Sequence, residues 1–190
     1  AEKPRIMSGM AQQLFETLNE KAWRAQFHDP GQILAIADEI CARFAPGTVE
    51  HAWGLVHRGW SARFRREADT FAVALRAAEA AFNRAGQTAG VAMCCEMQAR
   101  ACADDGDQAA AMALLARASD TDDKVRGRWE RVASLNIRFA VANRFATAEE
   151  ALRIQSRAVT AARQCADPVA LGQALSMLGG KHAELNNIDT

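Results

Sequence analysis

The side chains with chemistry to offer are four histidines, five cysteines and two groups of arginines. His28, His51, His57 and His182 are not spaced as metal ligands, and no GxSxG turn, Walker-type glycine loop or HExxH pair accompanies them. Cys95 and Cys102 stand seven apart on one helical face, with Cys94, Met93 and Met97 nearby, a grouping that would suit a soft metal or a redox pair. Two helix-borne thiols do not make a tetrahedral site. All five cysteines (41, 94, 95, 102 and 165) fall inside helical patterns and none forms a CxxC, so they read as reduced, small apolar residues of a core. Asp104, Asp105 and Asp107 around Gly106 share part of a calcium-loop pattern but lack its bidentate Glu, and a solvated turn accounts for them. No catalytic residue, metal ligand or cofactor is assigned, and the chain is not read as an enzyme.

The arginines are more informative. Lys124, Arg128, Arg131 and Arg138 recur at helical spacing beside an apolar stripe, and Asn136 stands where a hydrophobe is expected. Arg58, Arg63, Arg65 and Arg66 form a second group. Guanidinium forks pair with carboxylate or phosphate groups. The competing reading is an ordinary solvated helix face, paired to nearby Glu and Asp.

These residues must be carried by helices. The 190-residue chain is 49% hydrophobic and 24% charged, which suits a folded core and not a disordered segment. Ala, Leu, Arg, Gln and Glu are abundant, Tyr is absent and there are only four prolines, so almost no sheet is expected. Twenty-three basic against twenty-three acidic side chains predict neither a nucleic-acid footprint nor a polybasic membrane anchor. With no apolar run of membrane length and no signal peptide in AEKPRIMSG, a cytoplasmic location is expected.

Caps and apolar spacing divide the chain into nine helices. Ser8 to Phe27 buries Leu14, Phe15, Leu18, Ala22 and Ala25; Asp29-Pro30 opens a second helix through Phe44, which Ala45-Pro46-Gly47 ends. Thr48 caps a third, with the stripe Trp53, Val56, Trp60 and Phe64, and a fourth spans about Glu67 to Arg84, closed by Gly86. Thr88 opens a fifth, and a short sixth carries Ala111, Leu114, Leu115 and Ala118. The seventh spans about Asp122 to Asn143, with Val125, Trp129, Val132, Asn136 and Phe139 on one face. Thr147 and Glu150 form a capping box for the eighth, and Asp167-Pro168 starts a ninth bearing Leu171, Ala174, Leu175, Leu178 and His182.

A seam of small side chains recurs among these helices. Ala35 and Ala42, Ala74 and Ala81, Ala111 and Ala118, and Ala151 and Ala158 are each seven apart, and the first members are separated by 39, 37 and 40 residues. Such a line of methyl groups lets a second helix approach closely, and its recurrence predicts a repeat array.

Leu175, Leu178, Gly179 and His182 stand where the tetratricopeptide repeat places the large residue, Leu-Gly pair and aromatic of its W-x2-L-G-x2-Y pattern, and Leu185 to Thr190 resembles that repeat's turn. The alanine pairs match its second helix, and Ala99 its small first-helix position, although the period exceeds the usual 34 residues. The resemblance implies an all-α, right-handed solenoid of tetratricopeptide-like helical hairpins, with HEAT-like repeats as the alternative. It implies one repeat domain over residues 1–190, cut inside a fifth repeat. First helices of such arrays line a concave groove, which would gather Arg58, Arg63, Arg66, Arg128, Arg131, Asn136 and Arg138 to receive an acidic protein or peptide. His182 would be a packing residue. Long-period arrays of this kind are similar to N-terminal sensory modules of bacterial signalling proteins, including those preceding GGDEF diguanylate cyclase domains. The expected function is therefore protein binding or regulation of an output domain, with a freestanding peptide-binding adaptor or co-chaperone as the alternative and an enzyme on a helical scaffold behind both. An uncovered ninth helix would favour self-association through that helix.

Overall fold

The computed structural model describes residues 9–119 and 127–187, and within them the chain is all-α, with no strand. The helices are α1 (Gly9–His28), α2 (Ile33–Arg43), α3 (Val49–Phe64), α4 (Ala68–Ala85), α5 (Thr88–Asp104), α6 (Gln108–Ser119), α7 (Arg128–Phe145), α8 (Ala148–Gln164) and α9 (Pro168–Asn187). A 3-10 turn, Pro30–Gln32, lies between α1 and α2. No helix among the described residues is long and apolar enough to cross a membrane.

One turn recurs between consecutive helices. After α3, α4, α5 and α8 the chain passes through a single left-handed residue, Arg66 (φ 61°), Gly86 (φ 67°), Gly106 (φ 85°) and Ala166 (φ 53°). In the first three, the next amide bonds back to the helix it has just left: Glu67 N to Ala62 O at 2.9 Å, Gln87 N to Phe82 O at 2.9 Å and Asp107 N to Cys102 O at 2.8 Å. This closes the orphan carbonyls of the ending helix and sends the chain straight into the next one. The following residue then starts that helix. Asp107 Oδ1 accepts from the Ala110 amide (2.9 Å), and Asp167 Oδ1 from those of Val169 (3.0 Å) and Ala170 (3.1 Å).

Such short connections lay neighbours side by side. α2 packs on α3, α3 on α4, α4 on α5, α5 on α6, α7 on α8 and α8 on α9, while α7 lies chiefly on α5 and α8. Close approach is visible at two glycines. A Cβ at Gly90 of α5 would stand 2.5 Å from the Phe82 ring of α4, and one at Gly54 of α3 would stand 2.7 Å from Cys41 Sγ of α2. Of the alanine pairs, Ala74/Ala81, Ala111/Ala118 and Ala151/Ala158 are buried as the seam requires. Ala35 and Ala42 are not; both are exposed, and α2 turns Ile33, Ile36, Ala37 and Ile40 inward instead. In α2 three isoleucines outweigh two alanines in buried area, and they set the rotation of the helix.

Other expectations are corrected. Thr88 is the first residue of α5, and Gln87 holds the cap position. Glu150 gives its carboxylate to Arg153 (2.7 and 2.9 Å) and not back to the cap, although Thr147 Oγ1 accepts from the Glu150 amide at 3.2 Å. The start expected for α7 near Asp122, with Val125 and Lys124, lies outside the described residues. α9 stays helical through Asn187, where a turn is expected from residue 185. His182 is exposed and not packed. Leu175 is 44% exposed, whereas Leu171 and Leu178 lean against the main core. Leu14 is also largely outside, and the anchor of α1 is Trp23, which is fully buried.

α1 has the most unusual position. It touches its neighbours α2 and α3, and it also reaches α7 and α9, the far end of the chain.

Candidate interaction surface

The two faces of α1 do different things. Phe15, Leu18, Ala22 and Trp23 are buried; Phe15 meets Phe44 edge-on at 5.7 Å between ring centroids, and Trp23 stands among Trp53 (6.0 Å), His57 (4.6 Å) and Trp60 (6.5 Å) of α3. Tilted and edge-on aromatic contacts of this kind hold α1 firmly to the front of the chain. His57, 1% exposed, is driven down to a pKa of about 3 by burial and is therefore neutral. Its Nε2 lies 2.7 Å from Asn19 Oδ1. A carbonyl oxygen can only accept, so Nε2 carries the proton. Asn19 Nδ2 in turn donates to Glu130 Oε1 at 3.4 Å, and Glu130 Oε2 accepts from the Gly127 amide at 3.2 Å. The result is a polar thread from α3 through α1 to the start of α7.

The second face is a stripe of Glu20, Arg24, Phe27 and His28, at i, i+4, i+7 and i+8 along the helix. Trp129 of α7 is its main partner. The indole Nε1 donates to Glu20 Oε1 at 3.3 Å, the Phe27 ring lies 5.8 Å away, and the Arg24 guanidinium carbon sits 5.9 Å from the ring centroid. Asp167, at the α8–α9 turn, is the other. His28 Nε2 meets its carboxylate at 2.9 and 3.0 Å, and Arg24 Nη2 reaches it at 3.4 Å. Asp167 is 6% exposed. Burial alone would raise its carboxyl, but the Ala170 and Val169 amides and His28 outweigh that and hold it below the usual carboxylate range. Gln173 of α9 donates to Phe27 O at 3.3 Å, satisfying a carbonyl at the open end of α1.

These contacts differ in strength from those to α3. Arg24 and His28 are roughly half and two-fifths exposed (52% and 38% of their side chains), so each ion pair contributes about 0–1 kcal/mol after solvent screening. The ring pair and the cation over Trp129 add roughly 0.5–1.5 and 0.5–1 kcal/mol. Phe27 and Trp129 are both buried in the main core, and that burial adds roughly 1.5–3 kcal/mol for each ring, more than the polar contacts.

The arginines singled out in the sequence fall in different surroundings. Arg58 is paired with Asp38 of α2 at 2.7 Å, and Arg63 reaches across to Asp104 at the end of α5. Arg66 is the left-handed turn residue after α3. Arg138 lies in the α5–α7 packing, where its Nε donates at 2.7 Å to Glu96, a fully buried carboxylate that Ser134 Oγ also reaches at 2.9 Å. That pair holds helices together: removing one member of a buried pair costs about 3–5 kcal/mol. Asn136 is half-buried on the same helix. Arg128 and Arg131 lie three residues apart on α7, on either side of Trp129. Both act, with Glu20 and Asp167, on the thiol of Cys165, which burial raises above its ordinary value. Arg128 is exposed, and Arg131 Nη1 lies 3.5 Å from Gln164 Oε1.

The remaining polar candidates are absorbed by the fold. Asp104 is held by Arg63 and Arg100, and Asp107 is a helix cap. Cys94 and Cys95 are buried and all five thiols are free, with Cys94 pushed strongly upward by burial. No group of His, Cys, Asp or Glu among the described residues is arranged to hold a metal ion. Sequence reasoning passed over Trp129 and Asp167 as a core residue and a helix cap, and their second roles depend on α1. Comparison with protein-family models, curated proteins and solved structures finds no match.

Proposed function

We propose that this chain is a protein-interaction module: a right-handed solenoid of tetratricopeptide-like hairpins forming one repeat domain, which binds an acidic protein or peptide segment in the cytoplasm. The observation that carries this reading is the pair Arg128 and Arg131, three residues apart on α7 and flanking Trp129, which already receives the α1 helix. Trp129 receiving the Phe27 ring of α1 is a contact of the kind used in helix-in-groove recognition. The buried alanine seams on α4, α6 and α8 support the repeat architecture, since each is the packing surface of a second helix.

In this reading the partner, or an attached output domain such as a diguanylate cyclase, reads the state of the module. The test uses a synthetic array of acidic helical peptides. Arg128→Glu with Arg131→Glu is expected to weaken the peptides bound by the native chain by at least about tenfold, the scale of a lost charge-assisted contact. Unchanged affinities, with far-ultraviolet dichroism showing an intact fold, would remove the arginines from the interaction and the proposal with them.

A further inference from the structure

α4 and α6 each pack on α5, and side chains of all three helices line a groove of about 350 Å³, within the size range of small-molecule sites. Its apolar lining comes from three separate packing clusters. Phe71 belongs to the main core, Leu114 leans on a cluster of Ala92, Cys95 and Ala118, and Cys102 on one of Ala103, Ala111 and Val141. Ala72 and Ala101 add small side chains to the same lining and leave the space unfilled.

The polar lining is Arg76, Glu79 and Gln98. Glu79 is already engaged: Arg117 of α6 donates to its Oε1 at 2.7 Å, and Gln98 of α5 donates to its Oε2 at 3.3 Å. This bridge ties α4 to α6 at the Glu79 end of the groove. Arg76, one turn earlier on α4, is exposed and has no acidic partner among the described residues. A guanidinium fork left unpaired beside an apolar groove suits a ligand with a carboxylate at one end and an apolar body behind it. The bridge crosses the path that a continuing polypeptide would take, and so favours a molecule that ends within the groove.

We propose that the α4–α5–α6 groove binds a small monocarboxylate with an aromatic or aliphatic body, its carboxylate on Arg76 and its body against Phe71, Ala101 and Leu114. The site shares no residue with the α7 arginines of the interaction reading above and does not rest on it. Cys102, a free and partly exposed thiol in the lining, reports its occupancy.

The experiment titrates phenylacetate, 4-phenylbutyrate and octanoate into the full chain and follows the iodoacetamide alkylation rate of each cysteine by peptide mass mapping. At least one of the three is expected to slow alkylation of Cys102 in a saturable way and to leave Cys41 and Cys165, which lie outside the groove, at their native rates. Arg76→Gln is expected to weaken that protection by about tenfold, the scale of a lost charge-assisted contact. 4-Phenyl-1-butanol, the same body without the charge, is expected to bind about tenfold more weakly than 4-phenylbutyrate and to be indifferent to Arg76→Gln. Ala72→Leu, at an exposed position of the lining, fills the groove and is expected to abolish protection with every probe. No protection of Cys102 by any of the three carboxylates overturns the proposal, as does protection that Arg76→Gln leaves unchanged or that slows all three thiols alike. Should Arg76→Gln lose its native dichroism, Arg76→Lys and Ala72→Leu carry the test: the lysine is expected to keep part of the affinity and the leucine none, and native affinity in Ala72→Leu overturns the site. Arg128→Glu with Arg131→Glu is expected to leave Cys102 protection at its native value, so the groove and the α7 arginines stand or fall separately.

Discussion

His57 enters the fold without a charge, and that has a measurable consequence. Its ordinary pKa is 6.5 and its buried value is about 3, so between these limits the unfolded chain binds a proton that the folded chain does not. Stability then rises with pH across that window and falls on acidification below about 6.5, by up to about 1.4 kcal/mol per pH unit. Urea midpoints compared near pH 7 and near pH 5 are expected to fall by the equivalent of roughly 2 kcal/mol from this residue. His57→Gln keeps a donor for Asn19, and is expected to lower stability at neutral pH while removing most of that acid-dependent loss. An equally steep pH dependence in the variant would mean that the imidazole is not buried as described. Asp167 acts in the same direction at lower pH. Its carboxyl is held below the unfolded value, so the stability it contributes is present above that value and is lost as pH falls through the folded one.

At the scale of elements, the turns decide where helices stop, and two of them do so against local preference. Arg66 and Ala166 take the left-handed conformation that Gly86 and Gly106 take in the equivalent turns. A residue with a Cβ pays roughly 1 kcal/mol or more for that geometry. Arg66→Gly is therefore expected to raise the melting temperature by about 2–4 °C, for a gain of roughly 1 kcal/mol less what glycine's larger unfolded-state entropy offsets. Scanning calorimetry checks it, and a lower melting temperature would show that the Arg66 side chain stabilises more than its backbone costs. These boundaries were largely legible in the sequence. Thr48, Gly86, Thr147 and Asp167 act where their residue types predict, because capping involves only a few neighbouring positions. Rotation of a helix about its own axis was less legible. Ala35 and Ala42 kept the spacing of the seam but not its burial, since in α2 the isoleucines compete for the inward face. His182 matched a repeat position by spacing, yet it faces solvent, because spacing along one helix does not say which side its neighbours cover.

The molecule as a whole was the least legible level. Trp129 has the look of one more core aromatic, and Asp167 of one more cap, until α1 is laid against them. That placement depends on how distant helices stack in space, which no local spacing records. The alternatives make different thermodynamic predictions. If α1 is packed only on α2 and α3, Phe27 and Trp129 are independent, and truncating both costs the sum of truncating each. If the ends meet, with the two rings 5.8 Å apart, the costs are not additive. A double-mutant cycle of Phe27→Ala and Trp129→Ala is expected to give a coupling of about 0.5–1.5 kcal/mol in equilibrium urea unfolding. A coupling near zero would mean that the first helix does not rest on the seventh in solution. The same cycle repeated below the titration of Asp167 should give a smaller value, because the neutral acid holds His28 and Arg24 less tightly and lets the end of α1 move away from α7.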